Sequence, residues 1–333
     1  MLARCLIAMA LVAALSACGR RSLEQQFDRN PIAALPQGVA QVAYARVERL
    51  KTNPLITLAY ERAGRIELGS ELKGTSQALG LAGDVARLVI GTYGRSDKGP
   101  AVVALASGQF SSESFRKALA SANIPHVESR YGSQQYWTCG RGDSRCHVSL
   151  PSPRLVVASS EEDMLKQTLD LARGSKKNLA NDRNLAPLLK SFSADMDMWA
   201  TGQFPRAFSL KFDEELRAAI MMIHSFTIKL TGNGETRLNA ILHCASPESA
   251  KANAMIVQEL VGSLATQLNA AGYQIRDLIK AIGNSQISVS GPTVDFQIEM
   301  NKAEIAATAK ALSERPLRPM FAPSFSAPSA PEP

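Results

Sequence analysis

The chain has 333 residues, of which 37 are lysine or arginine and 30 are aspartate or glutamate, giving a formal net charge of +7. A hydrophobic content of 45% excludes a disordered chain and a multi-span membrane protein, and the length suffices for about two domains of ordinary size. The basic residues are thinly spread, with adjacent pairs at Arg20-Arg21 and Lys176-Lys177, so the charge predicts no nucleic-acid partner.

The first 17 residues have the pattern of a secretory signal peptide. Arg4 precedes an apolar stretch at residues 5–15, and the small residues Ser16 and Ala17 follow it. The apolar stretch is far shorter than the roughly 20 residues that a helix needs to cross a bilayer. The pattern therefore favours a cleaved signal over an uncleaved membrane anchor.

The end of this segment resembles the lipobox of bacterial lipoproteins, in which small residues precede an obligatory cysteine. The match is Leu15-Ser16-Ala17-Cys18, and the resemblance is confined to residues 1–19. It implies attachment of diacylglycerol to the Cys18 sulfur, cleavage before Cys18 and acylation of the new amino terminus. Residue 19 is Gly rather than Asp. In lipoproteins of enteric-type bacteria this resembles a signal that sorts the protein to the outer membrane. The alternative is a chance cysteine at the end of a signal for soluble secretion.

Composition divides the rest of the chain into four segments after the signal peptide at residues 1–17. We predict an acylated cysteine and polar tether at 18–37, a first globular half at 38–205 and a second at 206–314. Residues 315–333 are rich in proline, serine and alanine, and they are predicted to be a disordered tail.

In the first half, apolar strand-like segments alternate with amphipathic helical segments. The predicted strands lie at residues 42–45, 85–93, 101–106, 126–131, 134–138, 146–150 and 154–158. Four helices are predicted. The first begins at Asn53-Pro54, the second covers residues 68–79, the third follows Ser111 or Ser112, and the fourth follows a capping box of Ser159 with Glu162.

The second half shows the same kinds of pattern. Two alternating strands are predicted around a turn at residues 232–234, and two more around Gly291-Pro292. Ser246-Pro247 opens a long helix with an apolar stripe, a shorter helix runs to Gly283, and Asn301 with Glu304 caps the last helix. The stripe of the long helix could form a coiled-coil seam, but Ile256 and Leu260 broaden it, which favours packing on a sheet.

Both halves can be written as strand, strand, helix, strand, strand, helix. This order predicts an α+β fold of antiparallel sheets with helices on one face. Residues 110–114 and 245–249 lie at matching junctions between a strand and a helix, so we infer that a β-β-α-β-β-α unit was duplicated.

Two cysteines flank a loop of turn-forming residues in the first half. Cys139 and Cys146 stand at the ends of residues 140–145, between two strand-like arms, and an exported protein can oxidise such a pair. We predict a hairpin disulfide, and the alternative is two free thiols. Metal binding is not predicted, because the cysteine spacing does not fit a zinc knuckle and the four histidines are scattered.

A third cysteine lies beside a histidine in the second half. Cys244 shares a strand face with apolar residues, so we predict a small buried side chain rather than a nucleophile. His243 points to the opposite face, so the two do not form a Cys-His dyad. His224 falls on the apolar face with Met222 and Phe226, and we predict a hydrogen-bonded edge histidine there.

The sequence contains no Gly-rich phosphate loop, His-Glu-x-x-His, Gly-x-Ser-x-Gly or calcium loop. Ser-x-x-Lys occurs at residues 70–73 and 114–117 and is similar to the motif of penicillin-recognising serine enzymes. Their third motif is poorly matched, because residues 229–232 contain one residue too many. About one Ser-x-x-Lys is expected by chance in such a chain, so these matches carry little weight.

Two further patterns are interpreted as structural. Asp195 and Asp197 stand two apart before Trp199, and we interpret them as solvated charges at a strand edge rather than as paired acids. Residues 141–143 read Arg-Gly-Asp, and turn chemistry explains this tripeptide without an adhesion role.

These observations predict a non-enzymatic binding or scaffolding role for a lipid-anchored protein of the cell envelope. Its partners would be the membrane, through acyl chains on Cys18, and an envelope protein, with no cofactor and no nucleic acid. The alternatives are a carrier of lipid or another apolar ligand and, less favoured, a Ser-x-x-Lys hydrolase. An aromatic content of 6% favours a tightly packed body over a large ligand cavity.

Overall fold

The structure is a computed structural model of the chain, and it describes residues 22–63, 85–94, 100–142, 145–175, 177–204, 214–232, 235–270 and 275–314. Several predictions concern residues outside these ranges. They are the signal peptide, Cys18, the helix at 68–79, the Ser-x-x-Lys motif at 70–73 and the tail at 315–333.

In the described part of the chain, twelve strands form one sheet, and every neighbouring pair is antiparallel. The strands are β1 (Val39–Ala45), β2 (Val85–Tyr93), β3 (Ala101–Gly108), β4 (His126–Tyr131), β5 (Gln134–Cys139), β6 (Cys146–Ser152), β7 (Leu155–Ser159), β8 (Met198–Gln203), β9 (Ile223–Thr231), β10 (Glu235–Cys244), β11 (Gln286–Ser290) and β12 (Thr293–Asn301). Their order across the sheet is β11-β12-β10-β9-β8-β1-β2-β3-β7-β6-β5-β4.

Ten α-helices belong to the described residues, together with short 3-10 helices at Pro31–Ala34 and Leu179–Asn181. The α-helices are α1 (Leu23–Arg29), α2 (Val47–Leu50), α3 (Pro54–Ala63), α4 (Ser112–Ser121), α5 (Glu162–Leu171), α6 (Ala186–Leu189), α7 (Glu214–Met221), α8 (Pro247–Ala270), α9 (Arg276–Gly283) and α10 (Lys302–Glu314). Within the described ranges, no helix is long and apolar enough to span a membrane.

The α+β class and the antiparallel sheet architecture are confirmed. The two halves share one sheet, because β8 pairs with β1 on one side and with β9 on the other. At this junction Ala200 stands opposite both Ala43 and Ile228. The second half therefore extends the sheet of the first half.

The expected placement of the helices on one face needs correction. Successive residues of a strand point to opposite faces, and here both faces of the first half are buried. We call the face that carries Ala106 and Val156 the front, and the face that carries Leu105 and Val157 the back. Helix α4 covers the front through Phe115 and Leu119, whereas α1 and α5 cover the back. Since β3 and β7 are apolar at consecutive positions, each of their faces needs a helical cover.

The prediction of a tether at residues 18–37 is wrong from Ser22 onward. Ser22 and Gln25 form a capping box at the start of α1, and Leu23 and Phe27 are each 1% exposed in the back-face core. The 3-10 helix that follows buries Ile32 in the same core. The segment as a whole is polar, but two apolar residues at helical spacing are enough to pack α1 onto the back of the sheet.

Among the described residues, helices cover the front of the second half, whereas polar side chains mark its back. Helices α8, α9 and α10 pack on the front of β10, β11 and β12, where Ala250 and Ala254 of α8 contact Val294. This confirms that the stripe of α8 lies on the sheet. On the back, the strands carry polar side chains, and Asn239 Nδ2 donates a 2.6 Å hydrogen bond to Asp295 Oδ1. The back of this half is therefore polar where β10 pairs with β12.

The strand order contains an internal correspondence. The order β2-β3-β7-β6 in the first half matches β9-β10-β12-β11 in the second, and α4 and α8 follow the second strand of each set on the front face. The β4–β5 hairpin is extra, and α5 covers the back whereas α10 covers the front. Duplication of the unit remains a proposal.

Candidate functional site

A cleft of about 970 Å³ opens at the end of the sheet where β8 ends and β9 begins, and α6 and α7 form its walls. Its lining mixes uncharged polar groups with apolar ones. The polar lining residues are Gln41, Asn184, Ser191, Gln203, His224, Ser225, Thr227 and His243. The apolar lining residues are Ala40, Leu185, Pro187, Leu188, Phe204, Ile220, Met221, Ile223 and Ile241. None of these described residues is an Asp, Glu, Lys or Arg, so the cleft suits an uncharged amphipathic ligand.

A β-bulge shapes the floor of the cleft. His243 of β10 pairs with Ser225 of β9, whereas Cys244 pairs with Ile223, so His224 is the extra residue. A bulge re-aims side chains, and His224 is exposed and lines the cleft. The prediction that His224 lies on the apolar face is therefore wrong, because simple alternation fails at the extra residue.

The adjacent residues His243 and Cys244 of β10 lie on opposite faces of the sheet. His243 lines the cleft, and partial burial lowers its pKa. Cys244 is 7% exposed and packs with Ala250 and Val294, and burial raises the pKa of its thiol. A buried thiol with a raised pKa is a poor nucleophile at neutral pH, so Cys244 has a packing role.

Hydrogen bonds fix the polar groups beneath the cleft. The Thr201 hydroxyl donates to the Phe226 carbonyl across 2.6 Å, and its oxygen lies 2.9 Å from Thr227 Oγ1. Gln41 Nε2 donates to the Gln203 carbonyl across 3.1 Å. These contacts join β1, β8 and β9, so the floor of the cleft is preorganised.

The described lining of the cleft contains one serine and histidine pair to consider as a hydrolytic site. Ser225 stands opposite His243 in the register, which is the nearest approach to a nucleophile and a base. Among the described contacts, no hydrogen bond joins their side chains, and no lining carboxylate orients the imidazole. A serine nucleophile needs a base within hydrogen-bond reach and a third group that orients that base, and the described contacts of Ser225 and His243 include neither.

The predicted disulfide partners are neighbours. Cys139 of β5 stands directly opposite Cys146 of β6, and both are thiols in the structure. Burial raises the pKa of Cys139 to about 12 and that of Cys146 to about 11. Opposed Cβ atoms in a sheet lie about 4.5–5.5 Å apart and those in a disulfide about 3.8 Å apart, so a small closure would join them. The disulfide remains a prediction.

The two acidic residues before β8 have different surroundings. Asp197 is 6% exposed, and its carboxylate accepts the Gly232 N–H and lies 3.5 Å from Arg49 Nη1. The interpretation of Asp197 as a solvated charge is therefore wrong, because two groups distant in sequence enclose it. Asp195 is exposed, and its carboxylate lies 3.8 Å from Arg46 Nη1.

The described Ser-x-x-Lys motif has no activated serine. Lys117 Nζ lies 2.7 Å from Glu113 on the surface of α4, so its ammonium is paired with a carboxylate. The backbone N–H of Ser114 donates to the Ser111 hydroxyl, as expected at a helix start. Residues Arg141 and Gly142 of the Arg-Gly-Asp tripeptide belong to the hairpin turn, and Asp143 lies outside the described residues.

Comparison with known protein families and with characterised proteins found no match. Among solved structures, the chain is similar to three crystal forms of the treponemal protein TP0453. Form I has a TM-score of 0.49 at 14% identity, with 86% of this chain and 97% of that chain covered. Form IV has 0.48 at 14%, covering 84% and 96%, and form III has 0.47 at 12%, covering 84% and 97%. At these scores the likeness supports no functional argument.

Proposed function

We propose that this protein is a lipid-anchored binding protein of the cell envelope, and that it engages a partner through the cleft between α6 and α7. The observation that carries the binding role is the uncharged lining of that cleft over a hydrogen-bonded floor. Apolar walls with a few fixed polar groups are typical of ligand-binding sites. The cleft groups described above include no oriented nucleophile, so we propose no reaction.

The lipobox resemblance supports the anchor. Each buried CH₂ contributes about 0.8 kcal/mol, so one acyl chain holds a protein marginally while the two or three expected on a lipoprotein cysteine hold it persistently. Since α1 begins immediately after Ser22, the chain from Cys18 to Ser22 can span at most about 14 Å when fully extended. We therefore propose that the body lies close to the bilayer, on the periplasmic face of the outer membrane.

Substitution of Cys18 tests the anchor. Cys18→Ala removes the acceptor sulfur, so the exported protein should leave the membrane fraction after cell fractionation. Cys5→Ala is the matched control, because residue 5 belongs to the proposed signal peptide and its loss should leave the protein in the membrane. A Cys18→Ala protein that stays in the membrane fraction as fully as wild type contradicts the anchor.

Site-specific photo-crosslinking tests the cleft. A benzophenone amino acid at Met221, which is 45% exposed in the cleft, should capture one defined envelope protein in intact cells. Met255 is the matched control, because it is a 72% exposed methionine outside the cleft lining. The capture should disappear when Ser225→Trp fills the cleft. Equal capture at Met221 and Met255, or capture that survives Ser225→Trp, contradicts a cleft-bound partner.

A specific observation favours transport of an apolar ligand as a second candidate. The front face of the central strands is apolar but half-buried. The residues that show this are Ala43, Ile90, Val102, Ala104, Ala200 and Ile228. Native mass spectrometry after mild extraction should then show a lipid in addition to the anchor, and Ile90→Lys should remove it. Val127→Lys, at a 65% exposed edge position, is the control. Absence of any such lipid excludes the carrier.

A further inference from the structure

The two edges of the sheet differ in chemistry. The edge strand β4 carries charge, because Glu128 binds Arg116 across 2.6 Å and Arg130 stands two residues away. The opposite edge strand, β11, reads Gln-Ile-Ser-Val-Ser and has neither a charge nor a proline. Natural sheets use charged residues and prolines to block pairing at an edge. Strand β11 lacks both, so its sequence permits pairing with another strand.

Strand β11 pairs with β12 on its inner side, and no described strand pairs with its outer side. All five of its residues pair with β12, through a tight turn in which Gly291 has a φ of +54°. On the front face Ile287 packs against the α8 residues Ala250 and Ala254, while Val289 is 39% exposed. An edge strand presents unpaired backbone N–H and C=O groups along its outer side. The strand is thus preorganised to accept a further strand.

We propose that β11 pairs with β11 of a second copy of this chain, antiparallel and about a two-fold axis at Ser288. This register puts Ser288 opposite the partner's Ser288, Ile287 opposite the partner's Val289, and Gln286 opposite the partner's Ser290. Ile287 and Val289 share the front face, because they pair with Phe296 and Val294 of β12. Cross-strand neighbours lie on the same face, so Ile287 of each copy covers the exposed Val289 of the other.

The pattern of β11 favours a second copy over an unrelated strand. An isologous interface must be self-complementary. Strand β11 meets that condition, because it has polar residues at both ends and Ile and Val on either side of its centre. No charge is brought opposite an identical charge, because β11 has none. The pairing joins two twelve-stranded sheets into one continuous sheet.

Cysteine cross-linking of the full-length protein tests both the partner and the register. Ser288→Cys places two thiols opposite each other, so mild oxidation with copper phenanthroline should give at least tenfold more disulfide-linked dimer than wild type. Gln286→Cys and Ser290→Cys should not link when each is expressed alone. When co-expressed with distinguishable tags, they should link to each other.

Two variants keep the test decisive. Ser129→Cys, in the middle of the other edge strand, is the control and should stay at the wild-type level. Val289→Lys in the Ser288→Cys background puts an ammonium opposite Ile287, so it should abolish linking while circular dichroism remains unchanged. Equal linking at residues 129 and 288, or absence of the mixed 286–290 dimer, overturns the proposal. Linkage of Ser288→Cys to a different protein also overturns it and assigns the edge to another partner.

Discussion

Asp197 Oδ2 accepts a hydrogen bond from the backbone N–H of Gly232 across 2.5 Å. Asp197 precedes β8, and Gly232 follows β9. The Asp197 carbonyl also accepts the Arg46 N–H across 2.8 Å, at the end of β1. One buried residue therefore ties together three adjacent strands at the junction of the two halves.

Removal of this carboxylate should destabilise the protein. Asp197→Ala removes the carboxylate that accepts the Gly232 N–H and pairs with the Arg49 guanidinium, and a hydrogen bond to a charged group contributes about 1.5–3 kcal/mol. We expect a loss of that size in the free energy of unfolding measured by urea denaturation. Asp195→Ala is the control, because its exposed carboxylate should change stability by less than about 0.5 kcal/mol. Equal effects at the two positions would contradict the role of Asp197.

Oxidation of Cys139 and Cys146 follows from the proposed export and should be detectable in the protein isolated from the cell envelope. A bridge that closes this eight-residue loop should stabilise the fold by about 2.5 kcal/mol on the chain-entropy relation. We expect an intact mass lower by about 2 Da than that of the reduced protein, and a urea midpoint that falls with reductant. Cys139→Ser should abolish both effects, and Cys244→Ser should leave both in place. An unchanged mass on reduction would show that the thiols are free.

Once reduced in the folded state, the same thiols should react slowly. Burial raises the pKa of both, to about 12 for Cys139 and about 11 for Cys146, so little thiolate is present at pH 8. We expect iodoacetamide to label neither within the time that it labels both in urea. Rapid labelling of the folded protein would mean that the β5–β6 hairpin opens readily.

A buried histidine should make stability depend on pH. His147 is 7% exposed and lies 3.0 Å from Thr138 Oγ1, and its burial lowers the pKa although Glu162 and Glu161 act in the opposite direction. Below the ordinary value of 6.5 the unfolded chain binds this proton more readily than the folded chain. The free energy of unfolding should therefore fall as pH drops from 6.5 through the lowered pKa.

Urea denaturation across this pH range checks the prediction. His147→Gln cannot be protonated and should reduce the slope below pH 6.5, while His243, whose pKa is also lowered by burial, retains its own contribution. His126→Gln, at an exposed position, should leave the profile unchanged. A slope in His147→Gln that is as steep as in wild type would contradict the role of His147.

The front-face packing of α4 should also be measurable. Phe115 is fully buried and makes an edge contact with Trp137, with ring centroids 5.2 Å apart. Phe115→Ala should lower the free energy of unfolding by about 3–5 kcal/mol, because it removes apolar contacts and leaves a cavity. Val127→Ala, at a 65% exposed position, should cost less than about 0.5 kcal/mol. A loss near 1 kcal/mol for Phe115→Ala would mean that the front-face core readily collapses.

Local sequence signals predict the individual elements of this fold well. Helix α4 starts after Ser111 and buries Phe115, Ala118 and Leu119. Both features can be predicted, because the N-cap and the spacing of three and four between apolar residues depend only on residues of the same helix. The ranges of eleven strands agree closely for the same reason, since alternation needs only neighbouring residues, whereas β8 (Met198–Gln203) was not predicted. The α1 segment was missed because its two buried residues, Leu23 and Phe27, dock onto strands that come later in the chain.

Features that depend on distant contacts could not be predicted in this way. The cleft brings Leu188 of α6 to His243 of β10, and no local pattern links these two positions. The bulge at His224 breaks the alternation on which the expectation for that residue depended. Burial of Asp197 follows from Gly232 and Arg49, which approach it only after the sheet has assembled.

Under the proposed export, the position of β1 in the middle of the sheet has a consequence for folding. Ala43 of β1 pairs with Ala200 of β8, so a chain that emerges with its amino terminus first must wait for over 150 residues before this ladder can close. Non-local strand pairing of this kind slows folding and prolongs the exposure of unpaired edges. We expect the nascent protein to depend on a holding chaperone until β8 has arrived, after which β8 serves as the template for β9 and the rest of the second half.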